Sequence, residues 1–393
     1  MVVAGQACSQ NHAGSPTSPR LSTPHEWEPA ARLPYRRAAS SRHCRAAAVA
    51  GSIIFSTFMN LYKEVIRPFL FLGDPESVHH LAMDVLSLFG PVLQRFGPTP
   101  DPRLERTVFG LRFPNPVGLA AGFDKNGVAL PAWQGLGFGF AEIGTITARA
   151  QPGNPKPRIF RIPQYRALIN RLGFNNDGCD AIACRLQRLK ETTQWPKIPV
   201  GINLGKSKVT PLAEATADYL LSFERLQHFG DYFVLNVSSP NTPGLRNLQD
   251  RTALDELLGH IQRRNTAGRP VLVKIAPDLQ WEAIEEILAL VEEHKIAGLI
   301  ATNTTIDHSG VPEENHTQGG LSGAPLRDRS TEILRFITSR SKVPVIAVGG
   351  IMSADDALQK FDAGAALVQL YTGYIYEGPG LIGKINRALL RRG

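Results

Sequence analysis

The 393-residue sequence lacks sequence features that are typical of several protein classes. It has four cysteines, Cys8, Cys44, Cys179 and Cys184. Their spacing matches neither a disulfide framework nor a metal site. No apolar run approaches the roughly 20 residues that span a bilayer, which excludes a multi-span membrane protein. No Lys/Arg cluster with interleaved aromatics is present, so nucleic-acid binding is not expected. A GxGxxG motif between a strand and a helix is also missing, which removes support for a nicotinamide site.

The net charge of +8 is concentrated near the N-terminus. Residues 1–58 contain six Arg, no Lys and two Glu, and so contribute half of that charge. They are rich in Ala, Ser, Pro and Arg without sustained periodicity, which predicts a disordered extension. A transit peptide and a solvated tail are two interpretations of this composition. A third, which we favour, is translation from Met59, because ordered-looking sequence begins there.

Residues 59–97 have the apolar spacing of a helical pair. The first stripe bends or ends at Pro68. The second helix begins with Asp74 as N-cap and Pro75 at the first position, and Gly90-Pro91 is expected to end it. From these residues alone, two interpretations stay open. The pair packs on the main domain, or it forms an apolar lid that contacts a membrane or guards a lipophilic ligand.

Residues 98–393 alternate short β-branched runs with helical stretches. This predicts an α/β protein with a (β/α)8 TIM barrel; a doubly wound sheet is the alternative, since strand order cannot be read from sequence. The predicted strands are Pro116–Leu119, Phe140–Gly144, Pro199–Asn203, Tyr232–Val237, Val271–Ile275, Gly298–Thr302, Val345–Val348 and Ala366–Leu370. The predicted helices lie near 125–136, 177–191, 211–228, 251–265, 280–294, 327–340, 353–363 and 379–391.

Polar residues follow most of these strands, where barrel active sites are built. Gly349-Gly350 follows the seventh strand and Tyr371-Thr372-Gly373 the eighth, the two places where barrels often bind a phosphate. An ordinary glycine turn is the alternative, but the position within the repeat favours a mononucleotide such as FMN. The connection from Thr145 to Asn175 is long, which is typical of a functional lid.

Two lysines and one serine could carry chemistry. Lys125 follows the first strand and Lys274 ends the fifth, where a positive charge near a flavin would stabilise its reduced, anionic form. The alternative is a buried lysine paired with Asp124 or another carboxylate. Ser239 has no His neighbour for a nucleophilic role, so proton abstraction by it would need a water or Thr relay. Taken alone, its surroundings are typical of a turn.

Ten runs, in order, resemble those of the class 2 dihydroorotate dehydrogenases, the membrane-associated, quinone-reducing class. The match extends from about Asn60 to Leu390, and its runs are Gly118–Gly127, Glu142–Thr147, Gln151–Arg161, Asn170–Asn175, Gly201–Lys206, Asn236–Leu245, Lys274–Asp278, Ala301–Thr305, Gly319–Pro325 and Gln369–Thr372. The resemblance implies FMN-dependent oxidation of dihydroorotate to orotate in pyrimidine biosynthesis, with electrons passed to a membrane quinone. Soluble class 1 members place Cys at the base position and lack the N-terminal helices; Ser239 and residues 59–97 therefore favour class 2.

The resemblance also implies roles for individual residues. Ser239 would remove the C5 proton, with Thr242 as relay, while a hydride passes from C6 to the flavin. The implied substrate-binding residues are Lys125, Asn170, Arg171, Leu172, Gly173, Phe174, Asn236, Asn241, Asn303 and Thr304. The implied FMN-binding residues are Ala121, Gly122, Phe123, Asp124, Lys125, Thr145, Asn203, Asn236, Lys274, Thr302, Gly323, Gly350, Tyr371 and Thr372. His79 and Arg161 would meet the quinone head.

The residues before Met59 depart from the family pattern. Bacterial members usually begin near this position, whereas eukaryotic members carry a transit peptide and then a spanning helix. Gly51–Phe58 is too short to span a membrane. The expected protein is therefore a monomer in peripheral contact with the cytoplasmic side of a bacterial inner membrane, with the mitochondrial inner membrane as the alternative.

Overall fold

The structure, a computed structural model, describes residues 61–392; the predicted extension 1–58 and the start at Met59 lie outside them. In chain order its strands are β1 (Arg106–Val108), β2 (Leu111–Phe113), β3 (Val117–Leu119), β4 (Phe140–Ile146), β5 (Ile159–Ile162), β6 (Ala167–Asn170), β7 (Val200–Leu204), β8 (Tyr232–Asn236), β9 (Val271–Ile275), β10 (Gly298–Ala301), β11 (Gly320–Gly323), β12 (Val345–Val348) and β13 (Leu367–Leu370). Its α-helices are α1 (Arg67–Leu72), α2 (Pro75–Phe96), α3 (Leu130–Gly135), α4 (Cys179–Lys190), α5 (Ala215–Leu226), α6 (Arg251–Arg264), α7 (Trp281–Glu293), α8 (Arg327–Arg340), α9 (Ala354–Asp362), α10 (Thr372–Glu377) and α11 (Gly380–Leu390).

Eight parallel strands close into a barrel in the order β3, β4, β7, β8, β9, β10, β12, β13, which confirms the predicted TIM barrel over the doubly wound sheet. The register closes where Gln369 of β13 pairs with Gly118 of β3. Helices surround the barrel, and the largest apolar core lies between them and the strands. The β1–β2 hairpin places Phe113 edge-on against Phe140, their ring centres 5.2 Å apart.

The helical pair lies before the barrel in the chain, as predicted. One π-helical turn, Tyr62–Ile66, leads into α1, and the Asp74 side chain caps α2 by accepting the Ser77 N–H at 2.9 Å. The prediction that Gly90-Pro91 ends this helix is wrong, because α2 continues to Phe96. Packing against α3 holds the last turns: a Cβ on Gly135 would lie 2.3 Å from the Leu93 carbonyl carbon.

The helix predicted near 125–136 is shorter than expected, starting only at Leu130. The Asp124 carboxylate explains the late start, because it accepts N–H groups of Val128 at 2.8 Å and Ala129 at 3.0 Å. These bonds give the backbone before α3 a side-chain partner in place of a helical one. The Trp133 indole donates to the same carboxylate at 2.9 Å, which ties the turn to the helix.

The long connection after β4 contains two strands that the sequence analysis did not predict. β5 and β6 pair antiparallel, and β6 also pairs with β11, with Leu168 opposite Ser322. The resulting three-stranded sheet has its own small apolar cluster, which includes Ile169 and Leu321. Asn170, Ser322 and Gly323 of this sheet line the pocket at the carboxyl ends of the barrel strands. The sheet therefore forms one side of the pocket mouth.

Candidate active site

A pocket of about 970 Å³ lies at the carboxyl ends of the barrel strands; we call it the polar pocket. It brings together Ser239 and most of the residues predicted to bind a substrate or a mononucleotide. These are Ala121, Gly122, Lys125, Thr145, Asn170, Leu172, Gly173, Phe174, Asn236, Asn241, Lys274, Thr302, Asn303, Thr304, Gly323, Gly350, Tyr371 and Thr372. Residues that are more than 100 positions apart in the sequence thus line one cavity.

Four of the residues predicted to bind the substrate or FMN are not in the lining of this pocket. The Arg171 guanidinium donates to the Pro157 carbonyl at 2.9 Å and lies over the Phe160 ring. The carboxylate of Asp124 accepts the N–H groups of the turn before α3. Phe123 lines a second, apolar cavity, and Asn203 lies beneath the pocket in a buried hydrogen-bond network.

Glu142 is the centre of that buried network, and the sequence analysis did not single it out. It accepts the Asn203 side-chain amide at 2.8 Å and the Gln369 amide at 2.6 Å. Burial raises the pKa of the Glu142 carboxyl and lowers the pKa of the Lys274 ammonium, while the charge of each opposes the shift of the other. A carboxylate inside the apolar run Phe140–Ile146 was a signal that could have identified it.

Several amide side chains line one side of the polar pocket and fix one another. Asn236 donates to Thr145 Oγ1 at 2.9 Å and to Asn203 Oδ1 at 3.1 Å. Asn303 donates to Ser238 Oγ at 2.9 Å. Gln369 Oε1, in contrast, is buried and has no hydrogen-bond partner within residues 61–392. It is therefore an acceptor that a ligand N–H in this pocket could satisfy.

Ser239 is 6% exposed at the pocket wall, in the turn that follows β8. Its Oγ accepts the Asn241 backbone N–H at 3.3 Å, and in the described part of the chain no carboxylate or imidazole hydrogen-bonds to it. The nearby Thr242 hydroxyl is buried and has no partner in that same part. Within the described residues, neither hydroxyl donates a hydrogen bond, so both protons are available for other interactions.

Lys125 extends into the pocket without a hydrogen bond to any described protein group, whereas Asp124 is saturated by its own turn and Trp133. The alternative of a Lys125–Asp124 ion pair is thus not formed. Burial lowers the pKa of Lys125 to about 8, against the opposing charge of Glu76. An ammonium with free donors in a polar pocket is suited to an anionic ligand group.

Glycines form the pocket wall near β12 and β13. Gly350 has φ +72°, and a Cβ there would lie 2.2 Å from the Arg327 Cα, so only glycine fits this turn. Thr372 and Gly373 begin the short helix α10, which the sequence analysis missed. Ser353 caps α9 by accepting the Asp356 N–H. Backbone N–H groups that approach this closely are what a phosphate requires.

The second cavity, of about 1790 Å³, lies between the helical pair and the barrel; we call it the apolar cavity. It contains both His79 and Arg161. Burial lowers the pKa of His79 to about 3, so the imidazole is neutral, and its ring packs edge-on against Phe123. Arg161 donates to the Leu70 carbonyl at 3.1 Å and lies 4.6 Å from the centre of the Phe71 ring.

The two cavities share a wall, which is formed by Lys125, Asn170, Ser322 and Tyr371. A ligand bound at this wall could be contacted by a second molecule from either cavity. The pocket chemistry on the two sides differs, since one offers amides, lysines and hydroxyls and the other offers mainly aliphatic and aromatic side chains. The arrangement suits a redox group that reacts with two unlike partners in turn.

A buried ion pair joins the helical pair to the barrel, and no local spacing in the sequence could have revealed it. Arg158 Nη2 donates to Glu76 Oε1 at 2.6 Å, and both side chains are less than 10% exposed. Burial alone would raise the pKa of Glu76, but Arg158, together with Lys156 and His80, outweighs it and lowers that pKa. Arg158 Nη1 also donates to the Pro152 and Asn154 carbonyls, which precede the three-stranded sheet.

Comparisons with known proteins agree with this geometry. The dihydroorotate dehydrogenase family matches residues 103–392. A Gloeobacter violaceus protein named dihydroorotate dehydrogenase (quinone) is 54% identical over 341 residues, covering 85% of this chain and 95% of its own length. A Synechococcus protein of the same name is 50% identical over 363 residues, covering 85% and 94%. A crystal structure of Eimeria tenella DHODH in complex with ferulenol superimposes with a TM-score of 0.72 at 38% identity, covering 80% of this chain and 91% of that one.

Proposed function

The chain belongs to the dihydroorotate dehydrogenase family and catalyses the quinone-dependent oxidation of dihydroorotate in pyrimidine biosynthesis, and we propose that it does so with FMN in the polar pocket. The observation that supports FMN is the shared wall between the polar pocket and the apolar cavity. When bound there, FMN would accept a hydride from the substrate and pass its electrons to the quinone.

The residues of the polar pocket fit FMN at both of its ends. Gly350, Thr372 and Gly373 surround the region where a phosphate would be held by backbone N–H groups. The unpartnered Gln369 Oε1 would accept an N–H of the flavin ring. Lys274, which lines the pocket, would stabilise negative charge that develops on the ring.

Substrate binding is assigned to Lys125 and the amide side chains on the opposite side of the pocket. Lys125 has free donors for the carboxylate of dihydroorotate. The planar amide edges of the substrate match the donors and acceptors of Asn170, Asn236, Asn241 and Asn303, all of which line the pocket. The mutual hydrogen bonds of these amides hold them in place before the substrate arrives.

Ser239 is assigned the removal of the C5 proton. A neutral hydroxyl is a weak base, so its own proton must leave as it accepts another. The buried Thr242 hydroxyl, which has no partner within residues 61–392, would receive that proton through a bridging water and pass its own proton on to solvent. The substrate contributes as well, because departure of a hydride from C6 makes the C5 proton more acidic.

The apolar cavity is assigned to the quinone, with His79 and Arg161 at its polar head. Neutral His79 would offer a hydrogen bond without the cost of burying a charge. The helical pair exposes large apolar side chains beside this cavity, among them Leu72, 84% exposed, and Leu88, 73% exposed. A group of this kind is typical of a membrane-contacting surface.

Peripheral contact with a membrane follows from the same surface. Within residues 61–392, none of the helices combines the length and apolar character needed to cross a bilayer. A basic pocket next to α1 contains Lys63, Arg67, Arg166 and Lys384 against the single carboxylate of Glu377, which favours an anionic lipid surface. We assign the protein, as a monomer, to the cytoplasmic side of a bacterial inner membrane, with the mitochondrial inner membrane as the alternative.

The test is purification of the full chain followed by the two half-reactions. The purified protein should carry FMN, lose flavin absorbance when mixed with dihydroorotate under anaerobic conditions, and recover it with a quinone analogue. Fumarate and NAD should fail to restore the absorbance. Protein without flavin, or flavin that dihydroorotate does not reduce, would contradict the assignment of FMN; restoration by fumarate or NAD would contradict the assignment of the apolar cavity to a quinone.

A further inference from the structure

Lys360, on α9, is a buried lysine that has no role in the proposed substrate, FMN or quinone sites. It is 0% exposed, and its Nζ donates to Ser330 Oγ at 2.6 Å, to Thr331 Oγ1 at 2.7 Å and to the Arg327 carbonyl at 3.2 Å. All three N–H bonds of the ammonium are thereby used. Within residues 61–392 no carboxylate oxygen lies within 4.0 Å of it, so its charge is held by dipoles rather than by an ion pair.

The hydrogen bonds of Lys360 lead directly to the glycine turn of the polar pocket. Ser330, which accepts from Lys360, has its hydroxyl 3.0 Å from the carbonyl oxygen of Gly349 and can donate to it. Arg327, whose carbonyl accepts from Lys360, presses against Gly350, where a Cβ would lie 2.2 Å from the Arg327 Cα. Lys360 thus supports the two residues that underlie Gly349 and Gly350.

The far side of the same turn is fixed from α9 as well. Asp356, one helical turn before Lys360, accepts the Met352 N–H at 3.0 Å and the Ser353 hydroxyl at 2.8 Å. Asp356 also lies 3.3 Å from Arg327 Nη1. One face of α9 therefore holds residues 349–353 at both ends, with Asp356 at one end and Lys360, through Ser330, at the other.

A buried ammonium without a carboxylate partner is a costly way to fill a core position. An apolar side chain of similar length would occupy the space without the desolvation penalty, so packing alone does not account for a charge here. Burial lowers the pKa of Lys360 to about 7, and Asp356 and Asp328 oppose that shift while Arg327 and Arg335 add to it. A dianion bound on the other side of the turn would compensate this charge.

We propose that Lys360 is a positioning residue for the cofactor phosphate: it holds the Gly349–Gly350 turn through Ser330 and Arg327 and places a positive charge behind it. The inference rests on the proposed binding of FMN, and it deepens that proposal by making the phosphate, rather than the flavin ring, the part of the ligand that Lys360 serves. Lys360 touches neither the substrate nor the polar pocket itself.

The experiment compares FMN with riboflavin, which has the same ring and no phosphate. Full-length holoenzyme is equilibrated with mixtures of the two flavins, and the bound flavins are quantified after the free ones are removed. Wild-type protein should retain FMN in preference to riboflavin. Lys360→Met should shift the exchange ratio about tenfold toward riboflavin, since the hydrogen bonds that hold the Gly349–Gly350 turn and the positive charge behind it are lost. Lys342→Met, which removes an exposed lysine between α8 and β12, is the matched control and should leave the ratio unchanged.

An unchanged exchange ratio in Lys360→Met would overturn the proposal, even if the variant melts at a lower temperature, because lost packing alone does not distinguish the two flavins. If Lys360→Met does not fold, Ser330→Ala decides: it keeps the lysine but removes its link to the Gly349 carbonyl, and a smaller shift toward riboflavin is expected. No shift in Ser330→Ala would then overturn the proposal. A wild-type protein that binds both flavins equally, or neither, would instead contradict the proposed FMN site.

Discussion

The polar pocket and the apolar cavity meet at one wall but are built in opposite ways. The polar pocket is formed by the ends of barrel strands, and its side chains hold one another through bonds such as Asn236 to Thr145 and Asn303 to Ser238. The apolar cavity lies between the barrel and two added helices, and away from the shared wall it has few polar groups, among them His79 and Arg161. The first cavity is fixed by hydrogen bonds, whereas the second is defined mainly by shape and apolar contact.

This difference matches the two partners of the reaction. A small planar anion with several amide edges is recognised by fixed donors and acceptors, and these must be positioned before it binds. A quinone offers a large apolar surface and only two carbonyl groups, so an apolar cavity with few polar contacts is sufficient. In the proposed assignment, the barrel supplies specificity for one half-reaction and the helical pair supplies access for the other.

Replacement of Ser239 by alanine should have the largest effect, and it should affect the half-reaction assigned to the polar pocket without affecting the one assigned to the apolar cavity. We expect flavin reduction by dihydroorotate to slow by about 10²–10⁴-fold, the usual contribution of a positioned base. Oxidation of dithionite-reduced enzyme by a quinone analogue should keep its normal rate. Stopped-flow absorbance measures both rates, and Ser309→Ala, an exposed serine, is the control. Undiminished reduction by dihydroorotate would refute the assignment of Ser239.

Replacement of Arg158 by methionine should test how strongly the helical pair depends on the barrel. Breaking this buried ion pair leaves the Glu76 carboxylate with only the exposed side chains of His80, at 3.5 Å, and Lys156, at 3.6 Å. A loss of about 3 kcal/mol in the free energy of unfolding is therefore expected. Removing both charges, as in Glu76→Gln with Arg158→Met, should recover part of that loss. Denaturant titration gives these values, together with the ratio of quinone turnover to flavin reduction.

The control for this variant is Arg392→Met, which removes an exposed ion pair with Asp362 and should leave the unfolding midpoint unchanged. A double variant no more stable than Arg158→Met alone would show that the lost stability comes from the Pro152 and Asn154 contacts of Arg158 rather than from its pairing with the Glu76 carboxylate.

Replacement of Leu88 by serine should affect the membrane and leave the chemistry intact. Leu88 is among the exposed apolar residues of α2, so its loss should weaken binding to anionic vesicles about tenfold, from the transfer free energy of one leucine. Flavin reduction by dihydroorotate should not change. Vesicle cosedimentation is the measurement, and Leu221→Ser, an exposed leucine on α5, is the control. Equal vesicle binding of wild type and Leu88→Ser would argue against membrane contact through this face.

The smallest expected effect is on the pH dependence of substrate affinity. Lys125 has a pKa of about 8 in the ligand-free protein, so it is charged below that pH and loses its charge as the pH rises through it. The affinity for orotate should therefore fall about twofold between pH 7 and pH 8. Isothermal titration calorimetry gives this ratio. Lys125→Met should bind orotate weakly and without that dependence; a wild-type affinity that rises with pH would contradict the role of Lys125.

Much of the fold could be predicted because the signals are local. β9 and β12 lie exactly where their β-branched runs begin and end, and the remaining barrel strands differ from prediction by a few residues at most. The polar residues after these strands are local signals too, and the barrel brings most of them together in one pocket. Their common location follows from a general property of barrels rather than from any single residue.

The features that could not be predicted depend on contacts between distant parts of the chain. β6 and β11 are about 150 residues apart, and neither has the alternation that marks a strand. The continuation of α2 past Pro91 depends on Leu93 packing against Gly135, which overrides the local tendency of proline to end a helix. Glu76 and Arg158 likewise become partners only in the folded chain.

The close approach of α2 to α3 constrains how this enzyme can evolve. The helices that complete the apolar cavity are encoded in one continuous stretch, residues 61–97, at the edge of the barrel sequence. Exchange of that stretch for a different pair would alter the electron-acceptor side and leave the strand ends untouched. The exchange is limited by fit, because Gly97 meets Gly135 with no room for a Cβ and Gly90 lies tightly against Ala132. New acceptor sites can thus be recruited only through helices that keep these small residues in place.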